Sequence, residues 1–340
     1  SDVVNMLNFW GLGLAAVTEL DCAVDTNDSG TLTLSDAVYL LNHVLAGGPQ
    51  PPTPYLTDDG MPYFSMDADA YPDPRILRWM VPHFRSPRVA GVTGNPRVAN
   101  RDTFLSELQL IEFASIVGLL RRAQRVWGRI LTMSGVVGAF RRSALIEVGL
   151  YSPEMATEDI DMTWKLQSEM FDVRYEPRAL VWMQVPRDLG GLFRQRVRWA
   201  KGLAQVLHRY QSVLGHWRTR RLWPVLVEAV LSISWAYCMV LLTLVWLLSV
   251  IAGAPPLGVS PVPTWWGMLI GTACLLQLFT GVLLERRYDA SVPRYFYMAV
   301  FYPIVYWMLM AVVTVLATPM GLASRPRPGE VTRWRTPRQP

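Results

Sequence analysis

Lysine and arginine are absent from the first 74 residues, although that stretch holds eleven of the 27 acidic residues. The other 16 acids share positions 75–340 with all 32 basic residues. So sharp a division suggests two parts of separate origin. A basic part beside long apolar runs points to lipid head groups or phosphorylated substrates as partners, and away from nucleic acid. Cysteine is scarce as well: Cys22, Cys238 and Cys274 are too few and too scattered for a disulfide framework or a zinc site. The chain opens Ser1-Asp2 with neither an initiator methionine nor a basic stretch, so residues 8–18 make a poor signal peptide. This reads as a processed start or a fragment.

Apolar residues, by contrast, are abundant. Of 340 residues, 51% are hydrophobic and 14 are Trp. That length accommodates two domains, or one domain and a membrane region, and interfacial aromatic belts would account for the Trp count.

Residues 25–36, DTNDSGTLTLSD, set oxygen-bearing side chains at loop positions 1, 3, 5, 7, 9 and 12: Asp25, Asn27, Ser29, Thr31, Thr33 and Asp36. Gly30 falls at position 6, where a calcium loop turns sharply. The segment resembles one dockerin-type Ca²⁺ repeat; an Asx-rich turn leading into a helix is the plainer reading. Residues 1–46 are taken as this unit and 47–62, rich in Gly and Pro, as a linker.

Beyond the linker, Tyr63–Met66 reads as a strand ending in Asp67-Ala68-Asp69. Carboxylates two apart at a strand end can hold one Mg²⁺ or Mn²⁺ against a diphosphate, since hard cations take oxygen ligands and share them with phosphate. A solvated loop would look the same. Residues 88–98 read as a second strand, and 103–128 as one long amphipathic helix. The basic end of that helix, Arg121, Arg122, Arg125 and Arg129, suits a membrane surface and equally an ordinary solvated face. Residues 130–149 give a strand, a small-residue turn at Ser134-Gly135 and a helix.

Two strings carry the chemistry. In ATEDIDMTWKLQ, Glu158 and Asp159 stand at a helix start, where Asp159 could serve as the base of an inverting sugar transfer. Thr157 followed by acids is equally what an N-cap favours. In FRQRVRWAKG, helical spacing puts Gln195, Arg198 and Trp199 on one face. A guanidinium fork suits a diphosphate, and an indole offers a platform for a pyranose ring. A basic interfacial helix would also satisfy that string.

D-x-D, T-E-D and Q-x-x-R-W in this order, followed by apolar runs, resemble the family 2 processive glycosyltransferases. The longer strings GVTGNPRV, EFASIVGLLRRAQRVWGR, SGVVGAFRRSAL, EPRALVWM and RRLWPVLVEAVLSISWAY are most similar to the bacterial poly-β-1,6-N-acetylglucosamine synthases. The resemblance implies transfer of N-acetylglucosamine from UDP-N-acetylglucosamine to a growing polysaccharide acceptor with inversion. It also implies Asp67 and Asp69 as ligands of Mg²⁺ or Mn²⁺, with Asp67 at the nucleotide diphosphate. Asp159 would be the base beside Glu158, and Gln195, Arg198 and Trp199 would line the acceptor and diphosphate site. A small membrane partner subunit is implied too. Cellulose and hyaluronan synthases share the short motifs. Unlike family members, this chain shows no P-x-Y-N-E-type loop before D-x-D. The expected fold is therefore α/β: a GT-A-type domain over 63–221 lacking its N-terminal nucleotide-binding half, with weak UDP-sugar binding. A non-catalytic, recombined membrane protein with a calcium loop is the alternative.

A helical transmembrane bundle is expected over 222–320, with runs at 226–251, 265–284 and 295–317, and then a basic tail over 321–340. Arginines before the first run and between the second and third put the catalytic part on the cytosolic face of a bacterial inner membrane. Glu228, just inside the first run, is a weaker functional candidate.

Overall fold

The computed structural model describes residues 62–67, 70–253 and 265–324. The calcium-loop segment (Asp25, Asn27, Ser29, Thr31 and Asp36), most of the linker, Asp69 and the basic tail beyond 324 lie outside the described residues.

A five-stranded mixed sheet organises the first part, in the order β1-β4-β3-β5-β2. The strands are β1 (Pro62–Met66), β2 (Tyr71–Pro72), β3 (Val89–Val98), β4 (Val137–Arg141) and β5 (Asp172–Met183). Strand β3 is buried along its whole length, as a central strand covered on both faces should be. It pairs with β4 antiparallel and with β5 parallel. The helices of this part are α1 (Ile76–Met80), α2 (Phe104–Ile111), α3 (Gly118–Trp127), α4 (Arg142–Glu147), α5 (Glu158–Ser168) and α6 (Leu189–Arg209). Apolar helices α7 (Trp223–Ile251), α8 (Trp265–Glu285) and α9 (Trp307–Ala323) follow.

The expected single helix over 103–128 is interrupted. A π-turn, Glu112–Val117, separates α2 from α3. Its cause is close packing: a Cβ at Gly281 of α8 would run into the Ser115 backbone, and the Ser115 hydroxyl donates to the Leu278 carbonyl at 3.0 Å. The extra residue of a π-turn lets the helix accommodate that contact.

The four arginines expected along a membrane surface separate. Arg121 is buried and turns toward the Tyr175 ring. Arg122 joins Glu285. Arg125 and Arg129 gather at Asp172.

The helices over Trp217–Ile251 and Gly267–Glu285 are long and apolar enough to cross a membrane, and 22% of each apolar window is buried. A core helix of a soluble domain would hide most of its apolar surface, whereas here Leu241, Leu248, Ile251 and Leu276 stay exposed. The expected third run over 295–317 is not one span. It is divided into a 3₁₀ segment (Val292–Val300), a π-turn (Tyr302–Tyr306) and α9. Pro303 supplies no N–H, so the helical ladder breaks there. Val292, Met298, Ala299, Tyr302 and Tyr306 are buried in one cluster with Leu108, Ile111 and Phe113, so this stretch packs on the sheet domain.

The two parts meet at Glu285, the fully buried last residue of α8. Its carboxylate accepts from Asn95 Nδ2 at 3.1 Å and from Arg97 on β3, and from Arg122 on α3. Glu228 is held similarly, accepting from Gln124 Nε2 at 2.9 Å, which gives it a fixed partner between α7 and α3. Removing Glu285 would leave the buried Arg97 guanidinium without its counter-charge. Glu285→Ala is therefore expected to cost about 3–5 kcal/mol, read as a lowered midpoint in denaturant unfolding of the detergent-solubilised chain. An unchanged midpoint would refute this.

Candidate active site

The acidic turn is built by register. Gln167 of α5 brackets Ile130, accepting from its amide at 3.0 Å and donating to its carbonyl at 2.8 Å. Trp164 Nε1 donates to the Leu131 carbonyl at 3.0 Å. Thr163 accepts from the Met133 amide at 2.8 Å and donates back to the Asp159 carbonyl at 2.6 Å. Thr93 of β3 accepts from the Ser134 amide at 2.8 Å. The small-residue turn is thus fixed against the first turn of α5, and the Gly135 amide donates to Asp159 Oδ2 at 3.1 Å. A Cβ at Gly135 would lie 3.4 Å from that oxygen, in van der Waals contact with the carboxylate.

The structure brings together much of what the motifs suggest. The Asp67 amide donates to the Val136 carbonyl at 3.1 Å, which sets exposed Asp67 beside the same turn. Burial pushes the Asp159 carboxyl up; the Ile160 and Gly135 amides and the charges of Arg198 and Arg121 oppose the shift. Burial also raises Glu158, and the charges of Asp159 and Asp67 add to the rise while Arg198 opposes it. Asp67, Glu158, Asp159 and Arg198 therefore share one electrostatic neighbourhood.

Arg121 is a member that sequence reasoning set elsewhere. It is 7% exposed, its Nη1 has no hydrogen-bond partner among the described residues, and its charge acts on Asp159. Helical phase alone, one residue away from Arg122, was the available signal.

Thr157 holds the N-cap position of α5, but its side chain does not cap. Its buried Oγ1 has no hydrogen-bond partner among the described residues. The side chain is directed at α6 instead, where a Cβ at Gly202 would collide with it. Close packing of the turn on α6 displaces the capping geometry.

The Q-x-x-R-W string lies on α6, which Asp188 caps through the Gly191 amide at 2.8 Å. Gln195 presents a buried Oε1 with no partner among the described residues. Trp199 is half-buried, with the Arg196 guanidinium stacked 4.1 Å from its ring centroid. Arg196, absent from the expected set, is almost fully buried and pairs with Glu112 at 2.6 Å, while the Tyr306 hydroxyl donates to the same carboxylate. That network fixes the ring from beneath. Its signal was weak, because Glu112 and Tyr306 stand 84 and 194 residues from their partners.

Among the described residues, no group of three His, Cys, Asp or Glu side chains is close enough to hold a metal. A hard cation that shares phosphate oxygens and water needs only one or two protein carboxylates. Exposed Asp67 at the end of β1, in a neighbourhood crowded with negative charge, fits such a role.

A mixed sheet with an acidic turn at its strand ends, a basic helix across that turn and apolar helices behind it are features expected of a membrane-associated glycosyltransferase. The chain belongs to the family described as Glycosyl transferase family group 2, which matches residues 64–319. Poly-beta-1,6-N-acetyl-D-glucosamine synthase of Staphylococcus epidermidis RP62A is 33% identical over 279 residues, 80% of this chain and 66% of that protein. The synthase of the same name from Staphylococcus aureus COL is 34% identical over 278 residues, with the same coverage. This chain thus spans just under two thirds of the length of these relatives. Among solved structures, a mannosyltransferase from Pyrobaculum calidifontis, in complex with GDP-Man and Mn²⁺, shares the fold. Its TM-score is 0.52 at 18% identity, covering 77% of this chain and 62% of that one.

Because folding raises the Asp159 carboxyl, the folded state favours its protonated form. That contribution to stability is complete at low pH and is lost as pH rises through the raised value. Asp159→Asn keeps an acceptor oxygen and removes the buried charge. It is expected to melt at or above the parent near neutral pH, with the gap closing in acid; thermal melts across pH measure this, and a lower neutral melting point would refute it.

Proposed function

We propose that this chain is the acceptor-side and membrane portion of a polymerising glycosyltransferase. It would move N-acetylglucosamine from UDP-N-acetylglucosamine to the 6-hydroxyl of a growing β-linked polysaccharide. The observation that carries the reading is Asp159, gripped by the Gly135 amide and faced by Arg198 of the Q-x-x-R-W helix. The names of the relatives support the sugar and the linkage.

In this reading Asp159 takes the proton of the acceptor hydroxyl as its oxygen bonds to the anomeric carbon and the bond to UDP breaks, with inversion. A base whose carboxyl is pushed upward by burial holds that proton better than an ordinary carboxylate. Arg198 and Arg121 offer positive charge to the departing diphosphate, and Trp199, braced by Arg196, offers a face to a sugar ring. Asp67 and Asp69 would hold Mg²⁺ or Mn²⁺, which when bound neutralises diphosphate charge. The protein would sit in a bacterial cell membrane with the sheet domain cytosolic, a reading that the apolar helices and the arginines preceding α7 and following α8 support.

Membranes carrying the chain are expected to convert UDP-N-acetylglucosamine into polymer slowly, as weak donor binding implies, with linkage analysis separating a β-1,6 product from a cellulose- or hyaluronan-type one. Asp159→Asn is expected to slow this by about 10²- to 10⁴-fold. The acidic limb of the rate should fall above the ordinary carboxylate range, because the protonated base is inactive and its carboxyl is raised. Equal rates for parent and Asp159→Asn would overturn the assignment.

A further inference from the structure

Away from the acidic turn, three arginines meet one carboxylate, with the charges of two more close by. Asp172, the first residue of β5, accepts a bidentate pair from Arg125 at 2.8 and 3.1 Å and a third bond from Arg174 Nε at 2.8 Å. Arg129 approaches the same carboxylate only to 4.0 Å. It is 4% exposed, and its Nε has no hydrogen-bond partner among the described residues. The other charges acting on Arg129 are basic: Arg221, Arg125 and Arg88. Arg88 is fixed at the rim, since its carbonyl accepts from the Asp172 amide at 2.7 Å. One carboxylate that already holds two guanidiniums leaves this cluster short of negative charge. A buried arginine with an unused donor is costly unless an anion reaches it.

The cluster's position narrows the anion. It lies at the end of α3, and α3 touches the ends of both long apolar helices: Gln124 bonds Glu228 near the start of α7, and Arg122 bonds Glu285 at the end of α8. Arg221 stands on the 3₁₀ turn Trp217–Leu222 that runs directly into α7. On that turn Trp217 is exposed, with Arg220 lying over its ring at 4.9 Å, as suits a head-group region. Val126, between Arg125 and Arg129, is 87% exposed, an apolar side chain turned outward beside the guanidiniums. Guanidinium forks match phosphate oxygens.

We propose that Arg88, Arg125, Arg129, Arg174 and Arg221 form a binding site for the phosphate of an anionic phospholipid. The phosphate completes the charge balance that Asp172 leaves unfinished, and the acyl chains lie along the exposed apolar surface at the start of α7. The site is distinct from the sugar-transfer turn.

The test is native mass spectrometry of the detergent-solubilised full chain titrated with phosphatidylglycerol or with phosphatidylcholine of the same acyl chains, with glycerol phosphate as a separate arm. Phosphatidylglycerol should be retained in preference to phosphatidylcholine. The rim variant Arg88→Gln/Arg221→Gln, which spares the Asp172 bonds, should weaken that retention by about fivefold for each arginine removed, with the melting temperature unchanged. A conservative Arg221→Lys variant should recover part of the loss. Equal retention of the two lipids, or a rim variant that retains phosphatidylglycerol as the parent does, would overturn the proposal. Glycerol phosphate bound as tightly as phosphatidylglycerol would overturn the lipid as the source of the phosphate.

Discussion

A buried carboxylate with three partners helps hold the two halves of this protein in register. Glu285 ends an apolar helix and faces Asn95 and Arg97 on the central strand and Arg122 on α3. Burying such a group is costly, and its attraction to the arginines does no more than offset that cost when every partner is in place. Its value is therefore specificity. A helix with a uniformly apolar surface has few ways to choose its rotation or depth, and one obligatory ionic contact chooses both. Because β3 carries two of the three partners and also pairs with β4 and β5, the choice made at Glu285 fixes the whole sheet relative to α8.

The same contact orders α3, and α3 sorts its arginines by helical phase. Arg122 is committed to Glu285. Its neighbour Arg121 is thereby rotated inward toward the Tyr175 ring and the acidic turn, while Arg125 and Arg129 reach Asp172. Four residues of one type, close in sequence, acquire three different environments.

Much of the architecture was legible from local patterns. The strand before D-x-D, the buried strand over 88–98, the helix bearing Gln195, Arg198 and Trp199 and the first two apolar helices all follow from short-range periodicity. What escaped was set by contacts distant in sequence. Thr157 carries every local sign of an N-cap, yet Gly202 on another helix lets α6 approach so closely that the threonine packs there instead. The run over 295–317 is apolar enough to read as a span, but Pro303 breaks it and the clusters around Leu108 and Ile111 draw its tyrosines onto the sheet domain. The partners of Arg196, Glu112 and Tyr306, belong to separate motifs with no shared period. At the candidate site, residue types and order were readable, whereas the Gly135 amide at Asp159 and the inward turn of Arg121 required the fold.

Helix α6 is held from two sides within one turn. Thr157 fills the space at Gly202, and a Cβ at Gly321 of α9 would meet the Lys201 carbonyl and the Ala204 side chain. Two contacts without slack, on opposite partners, make that turn a rigid coupling. Close-packed interfaces transmit displacement and do not absorb it. A change in the tilt or depth of α9 is delivered mechanically to the Thr157–Asp159 turn. In the membrane setting proposed above, the bilayer would strain the turn that carries Asp159 as well as support the helices.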